Sequence, residues 1–193
     1  MDLSTKKISS ISDYTFDASS SFNASCLCEL ILCSNLITII RASTFNGLGS
    51  LQKLDLSGNQ ITTLNAKAFA SLTNLNLLCL AQNQIKSLSA HVFYGLTSLV
   101  ELDLKNNPLS SLSNAAIFND LDFTNLAYIY LQNCMIDEID DDFFEAINFP
   151  TPNVSNNTVG FYLYGNPIAN VANGSYALSL CDYYKCYVDI TNA

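Results

Sequence analysis

Asp55 and Asp103 are the carboxylates that a catalytic reading of this chain would have to use. Two carboxylates can divide the acid and base work of glycoside cleavage when they face each other across a pocket. His91 is the only histidine. It falls in a linker away from any strand-like stretch and reads as a surface residue rather than the base of a triad. Cys26, Cys28 and Cys33 would supply three ligands of a zinc site, with no fourth beside them. The run DEIDDD, Asp137 to Asp142, lacks the alternation and the glycine of a calcium-binding loop and reads as a solvated acidic turn. No glycine-rich phosphate loop is present. The expectation is a protein with no catalytic residue, no metal and no cofactor.

What positions these residues is a repeat. The stretch LQKLDLSGNQITTLNAKAF, Leu51 to Phe69, carries the pattern LxxLxLxxNxI, and the pattern returns after 24 residues as Leu75, Leu78, Leu80, Asn83 and Ile85. It returns again as Leu99, Leu102, Leu104, Asn107 and Leu109, and upstream it reads Leu27, Leu30, Leu32, Asn35 and Ile37. Two irregular copies follow, one with Leu126, Ile129, Leu131, Cys134 and Ile136, the other with Phe161, Leu163, Asn166 and Ile168; a partial copy, Leu3 to Phe16, precedes them. Counted from Lys6, the asparagine slots are spaced 29, 24, 24, 24, 27 and 32 residues apart. One unit is too small to bury its own apolar side chains, so the units must stack on their neighbours. The LxL pair alternates with polar residues and predicts a short strand with alternate side chains inward. Stacked strands make a parallel sheet. The slot Asn35, Asn59, Asn83, Asn107, Cys134 and Asn166 predicts an inward ladder that bonds the backbone where the chain turns out of the strand. Lys6 breaks the ladder and predicts a frayed first unit. A second column, Phe16, Phe45, Phe69, Phe93, Phe144 and Tyr176, is expected on the opposite wall, with Ile117 filling the slot that Phe118 reaches one residue late. Its bulk should wedge each unit open on that side.

This pattern resembles that of leucine-rich repeat proteins over nearly the whole chain. The resemblance implies an α/β leucine-rich-repeat solenoid, a horseshoe arc with a concave parallel β-sheet and one strand per repeat. A single domain, 1–193, of about seven units is expected, with a partial first unit, an irregular insertion at 149–160 and a degenerate C-terminal cap at 172–193. The Phe-x-x-Leu tails resemble repeats typical of receptor ectodomains. Related extracellular proteins close with a disulfide cap after an Asn-Pro pair. Asn166-Pro167 is present here, but the next cysteine comes 14 residues later, a departure from that pattern. By reach along the chain, only Cys181–Cys186 and a distorted Cys26–Cys28 are local candidates for a disulfide. Sequons stand at Asn23, Asn153, Asn156 and Asn173, about as many as chance supplies in so Asn-, Ser- and Thr-rich a chain, and all four avoid the ladder. The segment FPTPNVSNNTVG is either a tolerated insertion or a contact loop.

The strand positions that face outward form columns. The central one is Ile31, Asp55, Cys79, Asp103, Tyr130, Tyr162; its flanks are Glu29, Lys53, Leu77, Glu101, Tyr128, Gly160, and Cys33, Ser57, Ala81, Lys105, Gln132, Tyr164. Asp55 and Asp103 then lie two strands apart, about 9–10 Å, on an open face with no enclosing pocket, which favours partner binding over catalysis. Tyr128, Tyr130, Tyr162 and Tyr164 are unneeded for the core. Tyrosine suits strands by propensity and is also a favoured interface anchor; both readings stand. A net charge of −9 repels polyanions, so no nucleic-acid partner is expected. No apolar run reaches membrane-spanning length, and MDLSTKKISS has no apolar core of a signal peptide. With a start inside a repeat, the expectation is a piece of a longer, extracellular chain. The function expected is a non-enzymatic scaffold recognising a protein or peptide on its concave face, as in a receptor or receptor-like kinase ectodomain. The alternative is a structural module that packs against itself or a larger assembly, with no soluble ligand.

Overall fold

The computed structural model describes residues 1–17, 24–112, 115–139, 159–168, 170–171 and 186–189. Seven short strands make one parallel sheet: β1 (Glu29–Ile31), β3 (Lys53–Asp55), β5 (Leu77–Cys79), β6 (Glu101–Asp103), β7 (Tyr128–Tyr130), β9 (Val159–Tyr162) and β11 (Cys186–Asp189), in that spatial order. Two smaller parallel pairs join β2 (Ile39–Ile40) to β4 (Thr63–Leu64) and β8 (Glu138–Ile139) to β10 (Asn170–Val171). Helical structure among the described residues is limited to two 3-10 segments, Ala24–Cys26 and Ala115–Phe118. Strand β11 lies in the stretch read from sequence as a cap and adds a parallel partner to β9.

The strands exist because of the LxL alternation. Leu30, Leu54, Leu78, Leu102, Ile129 and Phe161 point inward and are fully buried, while the residues on either side of them face out. The 24-residue spacing sets the register: Leu30 pairs with Leu54, Leu54 with Leu78, and Leu78 with Leu102. The longer units keep it, with Leu102 opposite Ile129 and Ile129 opposite Phe161.

On the far side of the core the phenyl rings stack. Phe16 and Phe45 lie 6.4 Å apart between ring centres, Phe45 and Phe69 6.0 Å, and Phe93 and Phe118 6.1 Å, all nearly parallel. Phe118, not Ile117, thus holds the aromatic slot, although both are buried. The short 3-10 turn at Ala115–Phe118 absorbs the one-residue offset. Phe161 reaches across from the sheet and meets Phe118 edge-on at 6.3 Å. Phe144 and Tyr176 lie outside the described residues. Strands repeat every 4.7–4.9 Å or so, while the rings repeat every 6.0–6.4 Å. The ring wall is longer per unit, so the array bends with the sheet on the inside.

The asparagine ladder works across units. Asn83 Nδ2 donates to its own Leu80 carbonyl and to Leu56 of the preceding unit, both at 3.0 Å, and its Oδ1 accepts from Ile61 N–H at 3.0 Å. Asn35, Asn59 and Asn107 repeat this arrangement. The residue just before each slot is left-handed: Thr5, Ser34, Gly58, Gln82, Asn106, Asn133 and Gly165 all have φ between 54° and 75°. That conformation costs a non-glycine residue about 1–2 kcal/mol, and the side-chain bonds of the ladder help to hold it. Cys134 has no carboxamide oxygen to accept with; its Sγ donates to Leu104 O at 3.2 Å. Leu109 N–H, without a ladder acceptor, turns to Asn107 O at 2.9 Å instead.

The start of the first unit is bonded to the second. Leu3 N–H bonds Ile31 O, Thr5 N–H bonds Cys33 O, and Ile31 N–H bonds Met1 O. Ile8 N–H is completed by Asn35 Oδ1 at 3.0 Å. Lys6 is tolerated because each ladder asparagine serves the unit before it, so the first unit takes its acceptor from Asn35. Gly47 and Gly95 sit at left-handed turns, φ +94° and +92°, where the preceding unit comes close: an added Cβ would lie 2.1 Å from Phe16 O or 2.5 Å from Ala70 O.

Candidate functional site

The register places the outward columns side by side. Ile31, Asp55, Cys79, Asp103, Tyr130 and Tyr162 run across the sheet as successive partners, as do Glu29, Lys53, Leu77, Glu101, Tyr128 and Gly160. The two ends of this face differ in character. At the N-terminal end Lys53 Nζ meets Glu29 at 2.8 Å, with both side chains nearly half exposed. Such a pair contributes little to stability. Asp55 turns to its own backbone, accepting from Ser57 N–H at 2.9 Å and Ser57 Oγ at 2.6 Å.

At the C-terminal end three rings gather. Tyr128 and Tyr130 stack at 6.0 Å because residues two apart on a strand share a face. Tyr130 stacks on Tyr162 at 5.0 Å, and Tyr128 lies 6.3 Å from Tyr162. Gly160 makes this possible. It is the strand partner of Tyr128, and a Cβ there would lie 2.8 Å from the Tyr162 ring. Each aromatic pair of this kind adds about 0.5–1.5 kcal/mol beyond its burial. Tyr128 and Tyr164 remain 42% exposed, so these rings stand outside the core.

Asp103 belongs to this cluster in a way the sequence did not reveal. It lies in the outward column but is only 9% exposed. Its Oδ2 pairs with Lys105 Nζ at 3.1 Å, its Oδ1 accepts from Lys105 N–H, and Cys79 Sγ lies 3.8 Å away. Lys105 Nζ also sits 4.9 Å over the centre of the Tyr130 ring. Burial, and next the charge of Glu101, push the Tyr130 phenol above its ordinary value. Burial pushes the Cys79 thiol up to about 11. Beside Tyr130, Gln132 is buried with its Oε1 lacking a hydrogen-bond partner. Glu101, Lys105, Gln132 and Gly160 were not among the site residues expected from sequence. Only their place in the outward columns could have pointed to them.

Among the described residues no group of three or more His, Cys, Asp or Glu side chains is placed to hold a metal. His91 is exposed and lies 3.2 Å from both carboxylate oxygens of Asp120. Asn23, Asn153, Asn156, Asn173 and Cys181 lie outside the described residues, so the glycosylation and disulfide expectations, including the Cys181–Cys186 bridge, fall there too. No described helix is long and apolar enough to cross a membrane.

The leucine-rich repeat family model matches residues 25–85 and 73–119, the same units whose strands and ladder stack in register. The chain is a leucine-rich repeat protein. Leucine-rich repeat domains generally act as protein-binding scaffolds and are typically non-enzymatic. No curated protein matches the chain. In this leucine-rich repeat array the sheet face is divided between a self-paired polar end and an aromatic end.

Proposed function

We propose that this leucine-rich repeat protein is a non-enzymatic scaffold that binds a protein or peptide on the concave face of its sheet, at the aromatic end. The observation that carries the proposal is the cluster of Tyr128, Tyr130 and Tyr162 outside the core, with glycine at 160 making room for it. Tyr164 extends the surface, and Asp103 fixes Lys105 beside it. Asp55, held by Ser57, contributes at the margin. Rigid rings already packed together lose little freedom on binding, which is what makes tyrosine effective at interfaces. The narrower form of the proposal places the chain in the ectodomain of a receptor, such as a receptor-like kinase; its Phe-x-x-Leu tails support this.

The test is selection of peptides from a displayed random library on the native chain, followed by measurement against Tyr130→Ser/Tyr162→Ser. If both rings are anchors, affinity falls by at least about 2 kcal/mol, roughly 30-fold, while the far-UV spectrum is unchanged. Peptides that bind the double variant equally well would refute the face. A tight dimer of the native chain in light scattering, dispersed by the same double substitution, would assign the rings to self-assembly.

A further inference from the structure

At the aromatic end the sheet repeats one arrangement twice. Asp103 and Tyr130 are strand partners, and between them they hold the ammonium of Lys105, 3.1 Å from the carboxylate and 4.9 Å from the ring centre. Two residues earlier on the same two strands, Glu101 and Tyr128 are strand partners on the same face. This second acid–ring pair has no lysine or arginine of its own: Glu101 makes no ion pair among the described residues, and Tyr128 is 42% exposed. The groups here that lack a donor are all electron-rich: the Glu101 carboxylate, the exposed face of Tyr128 and, further along, the buried Gln132 Oε1. The chain as a whole carries −9, which steers basic partners toward it and acidic ones away.

Resting on the binding face proposed above, we infer that its partner is a basic peptide segment that places an arginine side chain between Glu101 and Tyr128. A guanidinium is flat enough to lie on the ring and has the forked donors that match a carboxylate, where an ammonium is only a point charge. Carboxylate and ring then act on the arginine as Asp103 and Tyr130 act on Lys105. The charge that Glu101 places near the Tyr130 phenol would be neutralised by the same contact. A second copy of this chain is disfavoured as the occupant by its own negative charge.

The test uses the full chain and two small probes, N-acetyl-arginine amide and its uncharged isostere N-acetyl-citrulline amide, titrated while backbone amide resonances are followed by NMR. Arginine amide should shift resonances of residues 100–105, 127–132 and 160–164, citrulline amide should not, and Glu101→Gln should weaken the arginine response about fivefold. Equal responses to the two probes, responses elsewhere on the chain, or none at all would overturn the inference. Library peptides separate it from the proposal beneath it. Peptides that need Tyr130 and Tyr162 but are indifferent to Glu101→Gln would remove the arginine and leave the binding face. Peptides indifferent to all three substitutions would remove both.

Discussion

Replacing Asn83 by leucine tests the ladder at the point where its bonds are most completely defined. The substitution removes one acceptor and one donor group that together serve four backbone atoms. Ile61 N–H loses Oδ1, its partner at 3.0 Å, inside the core. The Leu56 carbonyl keeps only Asn59, and the Leu80 carbonyl keeps only Asn107. The weaker bond to Ala81 O at 3.2 Å disappears. A buried donor left without a partner costs about 1–3 kcal/mol, and the two half-served carbonyls bring the total to about 3 kcal/mol. With a urea slope of about 1–3 kcal/mol per molar, the midpoint should fall by about 1 M or more. Asn76→Leu is the control. Asn76 is exposed and its side chain makes a single bond, to Ser98 O at 3.1 Å, so its loss should stay within about 0.5 kcal/mol. Chemical unfolding followed by circular dichroism compares the two. Similar small losses for both would mean that the ladder is not what holds successive turns together.

Gly95→Ala should be severely destabilising, since its Cβ would sit 2.5 Å from Ala70 O in a left-handed turn, while Gly49→Ala, with nothing closer than 3.8 Å, should be nearly silent in thermal unfolding. Phe69→Ala should cost about 3–5 kcal/mol because the ring is fully buried in the stack against Phe45; Tyr94→Ala, which removes only an exposed ring 5.0 Å from Lys67 Nζ, should cost under about 1 kcal/mol. Burial raises the thiols of Cys79 and Cys134 to about 11, and the thiolate is the reactive form. Iodoacetamide at mildly alkaline pH should therefore label exposed Cys28 well before either, as read by mass spectrometry. Equal rates at Cys28 and Cys79 would contradict the covered position of Cys79.

The columns of the sheet were legible because the repeat spacing is constant where it matters: a 24-residue shift carries Leu54 onto Leu78 and then Leu102, and every outward neighbour travels with it. The ladder was legible for the same reason. Side-chain direction beyond the strand was not. Asp103 occupies an outward position, yet Lys105 and Cys79 fold over it, a choice made by rotamers and charge that spacing does not encode. The covering of Gly160 by Tyr162 depends on a missing side chain, which reads in sequence only as a weak strand residue. Phe118 took the slot assigned to Ile117 because a short 3-10 turn shifts the count by one residue. Lys6 in its own slot says nothing of how residues 1–8 are held, because their bonds come from β1, its flanking residues and Asn35.

The ladder also has a direction. Asn59 completes Ile37, Asn83 completes Ile61, Asn107 completes Ile85 and Asn166 completes Ile136. Within the ladder, trimming a unit from the C-terminal side strands a backbone amide already folded into its neighbour, whereas trimming one from the N-terminal side frees only carboxamide atoms, which can turn to water. The two ends of the ladder are therefore unequal, and the turns at Ile37, Ile61, Ile85 and Ile136 are each locked by the one made after it. A ribosome delivers the chain in that same order, so every newly emerged asparagine finishes the turn that preceded it, and the growing end is always the least settled part of the protein.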